Sequence, residues 1–357
     1  MRSVGLGRDA LMWMSSFLDG RRIRTVVDGA MSEFRPTSSG VPQGSVLGPL
    51  LFFIYFADLP RTITSSSVLF ADDTLLYDLN CDCFNAQPSA TGACTVAADT
   101  SALSCWAKDW NATFNASKST DMFITRRSHQ ANGPQMMMGS VAIPRSTCTR
   151  HLGLWVSENL SWKDHVKTIM GKVTPKLAVL RSLAYRLHFP GFVISRFYLT
   201  AIRPMMEYAG ATWCNCCKED ASALERIQIK VARSVLFANG DRVHLVDSAV
   251  LERVQWPTLA WRRSLSSLCL FWQLSHDAGL PKLADCIPRT AAQRTDYSLR
   301  KPSNLAFPWC NSHHRKPSSV ALWNALPLNV QSAVTLSTFR RLLSIHFSSD
   351  RFVIGLS

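Results

Sequence analysis

Residues 68–77 read Val-Leu-Phe-Ala-Asp-Asp-Thr-Leu-Leu-Tyr. The two apolar runs predict two short strands around Asp72 and Asp73. Adjacent carboxylates about 4 Å apart repel by about 4 kcal/mol at an effective dielectric near 20, and a divalent cation would remove that cost. Oxygen-only ligands suit Mg²⁺. The stretch is therefore either a magnesium site or simply a hydrophilic turn.

A loop dense in serine, glycine and proline precedes this stretch, over residues 36–48, and leads into a predicted buried helix over 47–59. Glycines let a backbone approach a ligand closely, and the Gln43 amide offers both a donor and an acceptor. Alone the loop is weak evidence. Combined with the two aspartates at this spacing, it is a strong sign of a functional site.

Charge and composition narrow the classes of partner. The 357 residues include 39 Lys and Arg against 25 Asp and Glu, which gives a net charge of +14. That balance favours nucleic acid over a membrane as the partner, although a basic solvated surface is the alternative. No apolar run is long enough to span a bilayer. Eleven irregularly spaced cysteines indicate reduced thiols in an intracellular protein and exclude a disulfide scaffold.

The pattern along the chain predicts a mixed first part, up to about residue 155, and a helical, basic remainder. Asp28-Gly29 predicts a hairpin turn, and residues 121–125 and 141–143 predict short strands. A linker or loose lobe is expected over 280–320. Periodicity and punctuation predict helices over residues 7–18, 96–110, 162–187, 191–207, 219–237 and 320–343.

These motifs together resemble a known family. The run from Gly40 to Leu51 followed by Phe70-Ala71-Asp72-Asp73 resembles motifs B and C of reverse transcriptases, specifically those of non-LTR (LINE-type) retrotransposons. Residues 114–119 resemble motif D, and residues 151–155 resemble the primer-grip hairpin of motif E. Residues 202–228 resemble the helical thumb of these elements, and residues 256–263 and 322–327 resemble their C-terminal region.

The resemblance implies an α+β fold. A partial polymerase palm, an antiparallel sheet with helices, would occupy residues 1–158. A helical thumb would follow over 159–240, and a basic, helical C-terminal region over 241–357. It also implies an RNA-directed DNA polymerase that works by two-metal nucleotidyl transfer, with an RNA template, a DNA primer, dNTPs and Mg²⁺. The nucleus or a cytoplasmic ribonucleoprotein is the expected location.

The resemblance also implies roles for those residues of this chain that occupy the family's motif positions. Asp72 and Asp73 would be catalytic and hold the metal. Gln43, Gly44 and Lys118 would contact the nucleotide or template, and Leu152 and Gly153 would form the primer grip. Basic residues on the predicted helix after residue 162 suit a phosphate backbone, with a solvated face as the alternative: Lys163, Lys167, Lys172 and Lys176.

In this family a strand called motif A supplies another metal-binding aspartate, before the helix that here begins near Gly7. Only six residues precede Gly7, and none is aspartate. We therefore expect a truncated domain that is inactive alone, exposes apolar palm surface, and needs an upstream chain or element protein. The alternatives are a non-catalytic module that binds RNA or an RNA–DNA duplex, and a helical interaction protein without either property.

Overall fold

A computed structural model describes residues 5–78, 95–124, 135–242, 245–276 and 319–352. Helices and small antiparallel sheets alternate along it, which confirms the α+β class. The chain divides into two compact units. The first comprises residues 1–123 and 127–147, and the second residues 124–126 and 148–357. The domain boundaries expected at residues 158 and 240 remain predictions.

Within its described residues, the first unit combines three α-helices with four strand pairs. Its helices are α1 (Arg8–Leu18), α2 (Leu47–Phe56) and α3 (Thr95–Asp109). Its strands are β1 (Arg22–Ile23), β2 (Val26–Val27), β3 (Ala30–Met31), β4 (Arg35–Pro36), β5 (Ser66–Phe70), β6 (Asp73–Tyr77), β7 (Met137–Met138) and β8 (Val141–Ala142). They pair as β1–β4, β2–β3, β5–β6 and β7–β8, all antiparallel. The predicted hairpin at Asp28-Gly29 is confirmed, and both residues have the positive φ that its tight turn requires.

The core of the first unit is small. Leu59, Ile63, Leu103, Trp106 and Ala107 form it, because α3 turns its apolar stripe toward the segment that follows α2. Many large apolar side chains of this unit remain exposed, as expected from the sequence: Met12, Trp13, Ile23, Val26, Val27, Met31, Phe34, Val46, Leu50, Phe53, Val68 and Phe70.

The second unit begins with one hairpin, β9 (Cys148–His151) and β10 (Leu154–Ser157), and continues as helices. These are α4 (Lys163–Tyr185), α5 (Gly191–Phe197), α6 (Arg203–Glu207), α7 (Lys218–Ala238), α8 (Asp247–Arg253), α9 (Leu259–His276), α10 (Ser319–Ala325), α11 (Leu328–Gln331) and α12 (Leu336–His346). A large apolar core joins α4 to α9, and a smaller one joins α9 to α10, α11 and α12.

A buried polar network crosses the larger core. The Glu225 carboxylate accepts hydrogen bonds from the Gln228 amide at 3.0 Å and from the Leu259 N–H at 2.9 Å, so it caps the start of α9. The Tyr198 hydroxyl donates to the Gln228 amide oxygen at 2.7 Å. Burial raises the pKa of Glu225 to about 7, against the opposing effect of the Arg263 charge and these hydrogen bonds.

Several predicted elements need correction. The helix expected over 191–207 is interrupted by a π-helical turn, Tyr198–Ile202, because Pro204, in the first turn of α6, has no N–H to donate within a continuous helix. The strand expected over 121–125 is not formed within residues 121–124, where Asp121 makes one isolated bridge to Arg145. Helices α8 and α9 were not predicted. The linker expected over 280–320 lies almost wholly outside the described residues.

The strands differ from the expected single sheet. In the described ranges they form five separate two-stranded sheets, since each strand pairs only with one partner close in sequence.

No described helix combines the length and apolar character that crossing a bilayer requires.

Candidate active site

The two aspartates lie at the tip of the β5–β6 hairpin. Phe70 pairs with Asp73, so Ala71 and Asp72 form a two-residue turn. Ala71 has φ +52°, a conformation that favours glycine. Asp72 and Asp73 are both exposed. The turn therefore presents two neighbouring carboxylates to solvent on a short connection with little conformational freedom.

Packing fixes the base of this hairpin. Leu69 and Leu76 lie on its inner face and contact the core around Trp106. The buried Asp99 carboxylate of α3 accepts from the Thr64 N–H at 2.9 Å and from the Ser65 N–H at 2.7 Å, just before β5 begins. Burial would raise the pKa of Asp99, but the hydrogen bonds from Ser65 and Thr64 together lower it. Asp99 was not identified from the sequence, because an acid within a helix gives no signal of what it caps.

The donor set at the tip fits Mg²⁺ chemically. Two carboxylates are what a protein commonly contributes to Mg²⁺, with water and substrate phosphates as the remaining ligands. Within the described residues, no group of three or more His, Cys, Asp or Glu side chains lies together as a metal site. Asp72 and Asp73 thus suit a shared ion rather than a closed protein cage.

Gln43 and Gly44 occupy an exposed turn before α2. The Ser45 N–H donates to the Pro42 carbonyl at 3.3 Å, and Gly44 has φ +82°, as a type II turn requires. Gly48 is needed for close packing, because an added Cβ would lie 2.8 Å from the Pro42 carbonyl oxygen. The loop therefore holds the Gln43 side chain on a defined backbone.

Lys118 lies on a separate exposed turn of the first unit. Its N–H donates to the Asn115 carbonyl at 3.1 Å, and the Asn115 side chain also accepts from it. Phe114, just before this turn, packs onto the small core. The side chain of Lys118 is thereby placed at the surface and stays available for an anion.

Leu152 and Gly153 form the turn of the β9–β10 hairpin in the second unit. Their φ values are +45° and +86°, as a two-residue type I′ turn requires. The Tyr208 hydroxyl donates to the Leu152 carbonyl at 2.8 Å. A Cβ added to Gly153 would lie 3.2 Å from the Tyr208 ring. Tyr208 therefore clamps this turn, a contact between distant segments that no local pattern predicts.

The hairpin is also fastened at its base. The Ser157 hydroxyl donates to the Asp164 carboxylate at 3.0 Å, and the Trp155 N–H points at His165 Nδ1 at 3.4 Å. Burial and, secondarily, the Lys172 charge lower the pKa of His165, so that the ring accepts as a neutral imidazole near pH 7.

The four lysines of α4 flank its buried stripe on two sides. At 100° per residue, Lys163 and Lys167 lie on one edge, and Lys172 and Lys176 lie about 140° or more away. Lys163, Lys167 and Lys172 are exposed, and Lys176 is half-buried. The helix therefore offers two basic edges rather than one continuous face. Their role in binding a phosphate backbone remains a prediction.

Comparison with known proteins finds a family match for the first part of the chain. Residues 2–158 match the family model described as reverse transcriptase (RNA-dependent DNA polymerase), which includes the aspartate hairpin and most of the turns described above. This match and the similar proteins below confirm the resemblance to reverse transcriptases of LINE-type elements.

Similar curated proteins include RNA-directed DNA polymerases of transposable elements in Drosophila melanogaster. The chain is 29% identical over 231 residues to the probable RNA-directed DNA polymerase from transposon X-element, covering 62% of this chain and 24% of that protein. It is 26% identical over 231 residues to the RNA-directed DNA polymerase from mobile element jockey, with the same coverage. The chain spans about a quarter of the length of these curated relatives. No solved structure matches it.

Proposed function

We propose that this chain is the part of an RNA-directed DNA polymerase that contains the catalytic aspartates and the primer grip, and that it acts by two-metal nucleotidyl transfer. The first unit would correspond to the palm, and the helices after β10 to the thumb. Template RNA, a DNA primer and dNTPs would be its substrates. The observation that carries the proposal is the exposed pair Asp72 and Asp73 on the tight hairpin turn of a reverse transcriptase segment.

Each of the chain's own residues has a definable task in this proposal. Asp72 and Asp73 would hold the cation, which when bound neutralises charge on the attacking and leaving oxygens. Lys118 would offset charge on the nucleotide phosphates, and the Gln43–Gly44 turn would contact the base pair being formed. Leu152 and Gly153, clamped by Tyr208, would position the primer end. A third carboxylate is proposed to come from an upstream segment or a partner chain, as the resemblance implies.

Primer extension on an RNA template with Mg²⁺ tests this proposal, in a sample that also contains the upstream segment or partner chain proposed to supply the third carboxylate. Asp72→Asn keeps the shape of the turn but removes a ligand charge, so we expect extension to fall by more than about 100-fold. Asp28→Asn is the matched control, because Asp28 also lies at an exposed two-residue turn of the first unit. Equal activity of Asp72→Asn and the parent chain would contradict the assignment.

A non-catalytic function is the second candidate, favoured by the two basic edges of α4. Lysines on these edges can follow a phosphate backbone without any contribution from Asp72. In that case RNA or an RNA–DNA duplex is retained at low salt, the affinity falls as salt rises, and Asp72→Asn leaves it unchanged. A folded sample that binds in this way but extends no primer would favour this function over polymerisation.

A further inference from the structure

The corner between α4 and α5 exposes apolar side chains in an unusual concentration. Every residue from 185 to 190 is exposed. Leu187 retains 61% of its accessible surface, and Phe192, at the second position of α5, retains 74%. Tyr185 and Phe189 are also exposed. We call residues 185–192 the aromatic corner.

The corner is held rigidly by its own backbone. The Leu187 N–H donates to the Ser182 carbonyl at 3.0 Å, and the Phe189 N–H donates to the Leu183 carbonyl at 2.9 Å. Gly191 is buried so closely against the end of α7 that an added Cβ would collide with Asn239. The exposed rings are therefore presented on a fixed scaffold, and binding would not have to order them first.

The end of α7 extends the same surface. The Tyr185 ring packs against Phe237 with centroids 4.6 Å apart. The Arg242 guanidinium lies 5.8 Å from the centroid of the Phe237 ring. Asp241, the acid beside Arg242, is ion-paired with Arg253 at 3.2 Å. Aromatic and cationic groups thus alternate on both elements.

The chain segment that carries the corner has charges of one sign. Residues 165–206 contain no aspartate or glutamate. The same residues contain the following cations: Lys167, Lys172, Lys176, Arg181, Arg186, Arg196 and Arg203. Arg186, within the corner, and Arg196, four residues beyond it, are both exposed. Such a field attracts a polyanion.

We propose that the aromatic corner binds unpaired nucleic acid by base stacking, with Phe192 as the principal ring and Arg186 and Arg196 contacting the flanking phosphates. Single strands fit because their bases have free π-faces, whereas a duplex hides them between neighbouring pairs. The inference rests on the proposed nucleic-acid function and adds to it a site for an unpaired strand, separate from the hairpin turn at Gly153. An anionic membrane surface is the competing occupant.

The test uses the full chain and fluorescence anisotropy with a labelled oligouridylate of about 12 nucleotides, a length within the usual range of single-strand sites. We expect Phe192→Ala to weaken binding about tenfold, the effect of losing one stacked base. Phe192→Leu, which keeps apolar surface but loses the ring, should weaken it similarly. Leu328→Ala is the matched control, because Leu328 is 70% exposed at the start of α11 and should leave affinity unchanged.

An RNA–DNA duplex of the same length and anionic vesicles serve as competing probes. Duplex affinity that changes less than twofold in Phe192→Ala supports the inference. The inference is overturned if Phe192→Ala loses binding to vesicles but keeps binding to oligouridylate. It is also overturned if Phe192→Leu keeps full affinity for oligouridylate, or if the parent chain does not bind oligouridylate. If the parent chain extends no primer but its oligouridylate binding depends on Phe192, polymerisation fails and the single-strand site stands.

Discussion

Two hairpins of the same design differ in what supports them. The β5–β6 and β9–β10 hairpins each pair antiparallel strands across a two-residue turn, with one positive φ in the first turn and two in the second. The first rests on a core of five buried apolar residues and has an exposed tip. The second packs beside a core of 23 such residues, and Tyr208 clamps its tip. In the proposed function, the exposed tip suits carboxylates that would contact substrate, and the clamped tip suits a fixed support.

The largest expected effect compares the tryptophans beneath the two hairpins. Trp213 is fully buried, and its indole N–H donates to the Tyr208 carbonyl at 2.9 Å. Trp106 is buried in the small core and donates to Asp58 at 3.1 Å. We expect Trp213→Ala to cost about 5 kcal/mol and Trp106→Ala about 3 kcal/mol, since sparser surroundings relax more fully into a cavity.

Native-state hydrogen exchange measures both losses separately, using peptides from α7 for Trp213→Ala and peptides from α3 for Trp106→Ala. Leu328→Ala serves as the control, since its exposed side chain contributes little. An equal or larger loss for Trp106→Ala would show that the small core is as tightly packed as the large one, and the contrast between the hairpins would fail.

The next effect concerns the two buried carboxylates, whose pKa values move in opposite directions. Burial raises the pKa of Glu225 to about 7, from 4.5. The folded second unit therefore holds a proton that the unfolded chain releases, so its stability falls as pH rises from about 4.5 to about 7 and is constant above. The total change is about 3 kcal/mol. The pKa of Asp99 is lowered, so its stabilisation persists above pH 3.8 and is lost on acidification below that.

Hydrogen exchange of α9 peptides between pH 5 and pH 8, corrected for intrinsic rates, checks this sign. Protection should be higher at pH 5 in the parent chain, and Glu225→Gln should flatten the dependence. Asp99→Asn is the control, because its titration lies outside this range. Protection of α9 that rises with pH would show that Glu225 is ionised in the folded protein and stabilised by Arg263.

The sequence predicted the turns of the hairpins in this protein well, but it predicted poorly the distant contacts that hold the hairpins in place. Asp28-Gly29 and the apolar runs around Asp72 specify turns through backbone conformation and alternation, which neighbouring residues decide. The π-helical turn at 198–202 and the helices α8 and α9 were missed, since burial in a common core overrides weak local signals there. The pattern around Asp72 and Asp73 predicted their place at a hairpin turn, whereas the contact of Tyr208 with Leu152 spans 56 positions of the chain and gives no local signal.

A smaller effect is expected from adding one methyl group to each of two turns. Gly153 and Gly29 have nearly the same φ, +86° and +84°, so alanine costs each about 1–2 kcal/mol in backbone strain. Only at Gly153 does the new Cβ also press on the Tyr208 ring, at 3.2 Å. Gly153→Ala should therefore be the more destabilising by up to about 1 kcal/mol.

Thermal unfolding of Gly153→Ala and Gly29→Ala, each also made in a Tyr208→Leu background, measures the additional destabilisation that comes from contact with the Tyr208 ring. The difference should shrink in that background because the leucine leaves space above the turn. An unchanged difference would mean that the Tyr208 ring swings aside freely and does not clamp the hairpin.

The smallest effect tests whether the aspartate tip is strained. Ala71 has φ +52°, which costs an alanine about 1–2 kcal/mol, and glycine would relieve that cost while losing about 0.5–1 kcal/mol of chain entropy. Ala71→Gly should therefore stabilise the first unit by less than about 1 kcal/mol. Asp28→Gly, at φ +49°, should gain less stability, because aspartate tolerates this conformation better.

Hydrogen exchange of β6 and β3 peptides compares the stability of the two variants. If Ala71→Gly stabilises the hairpin and lowers primer extension, the strained alanine is what holds Asp72 and Asp73 in place; if extension is unchanged, pairing of the strands alone positions them.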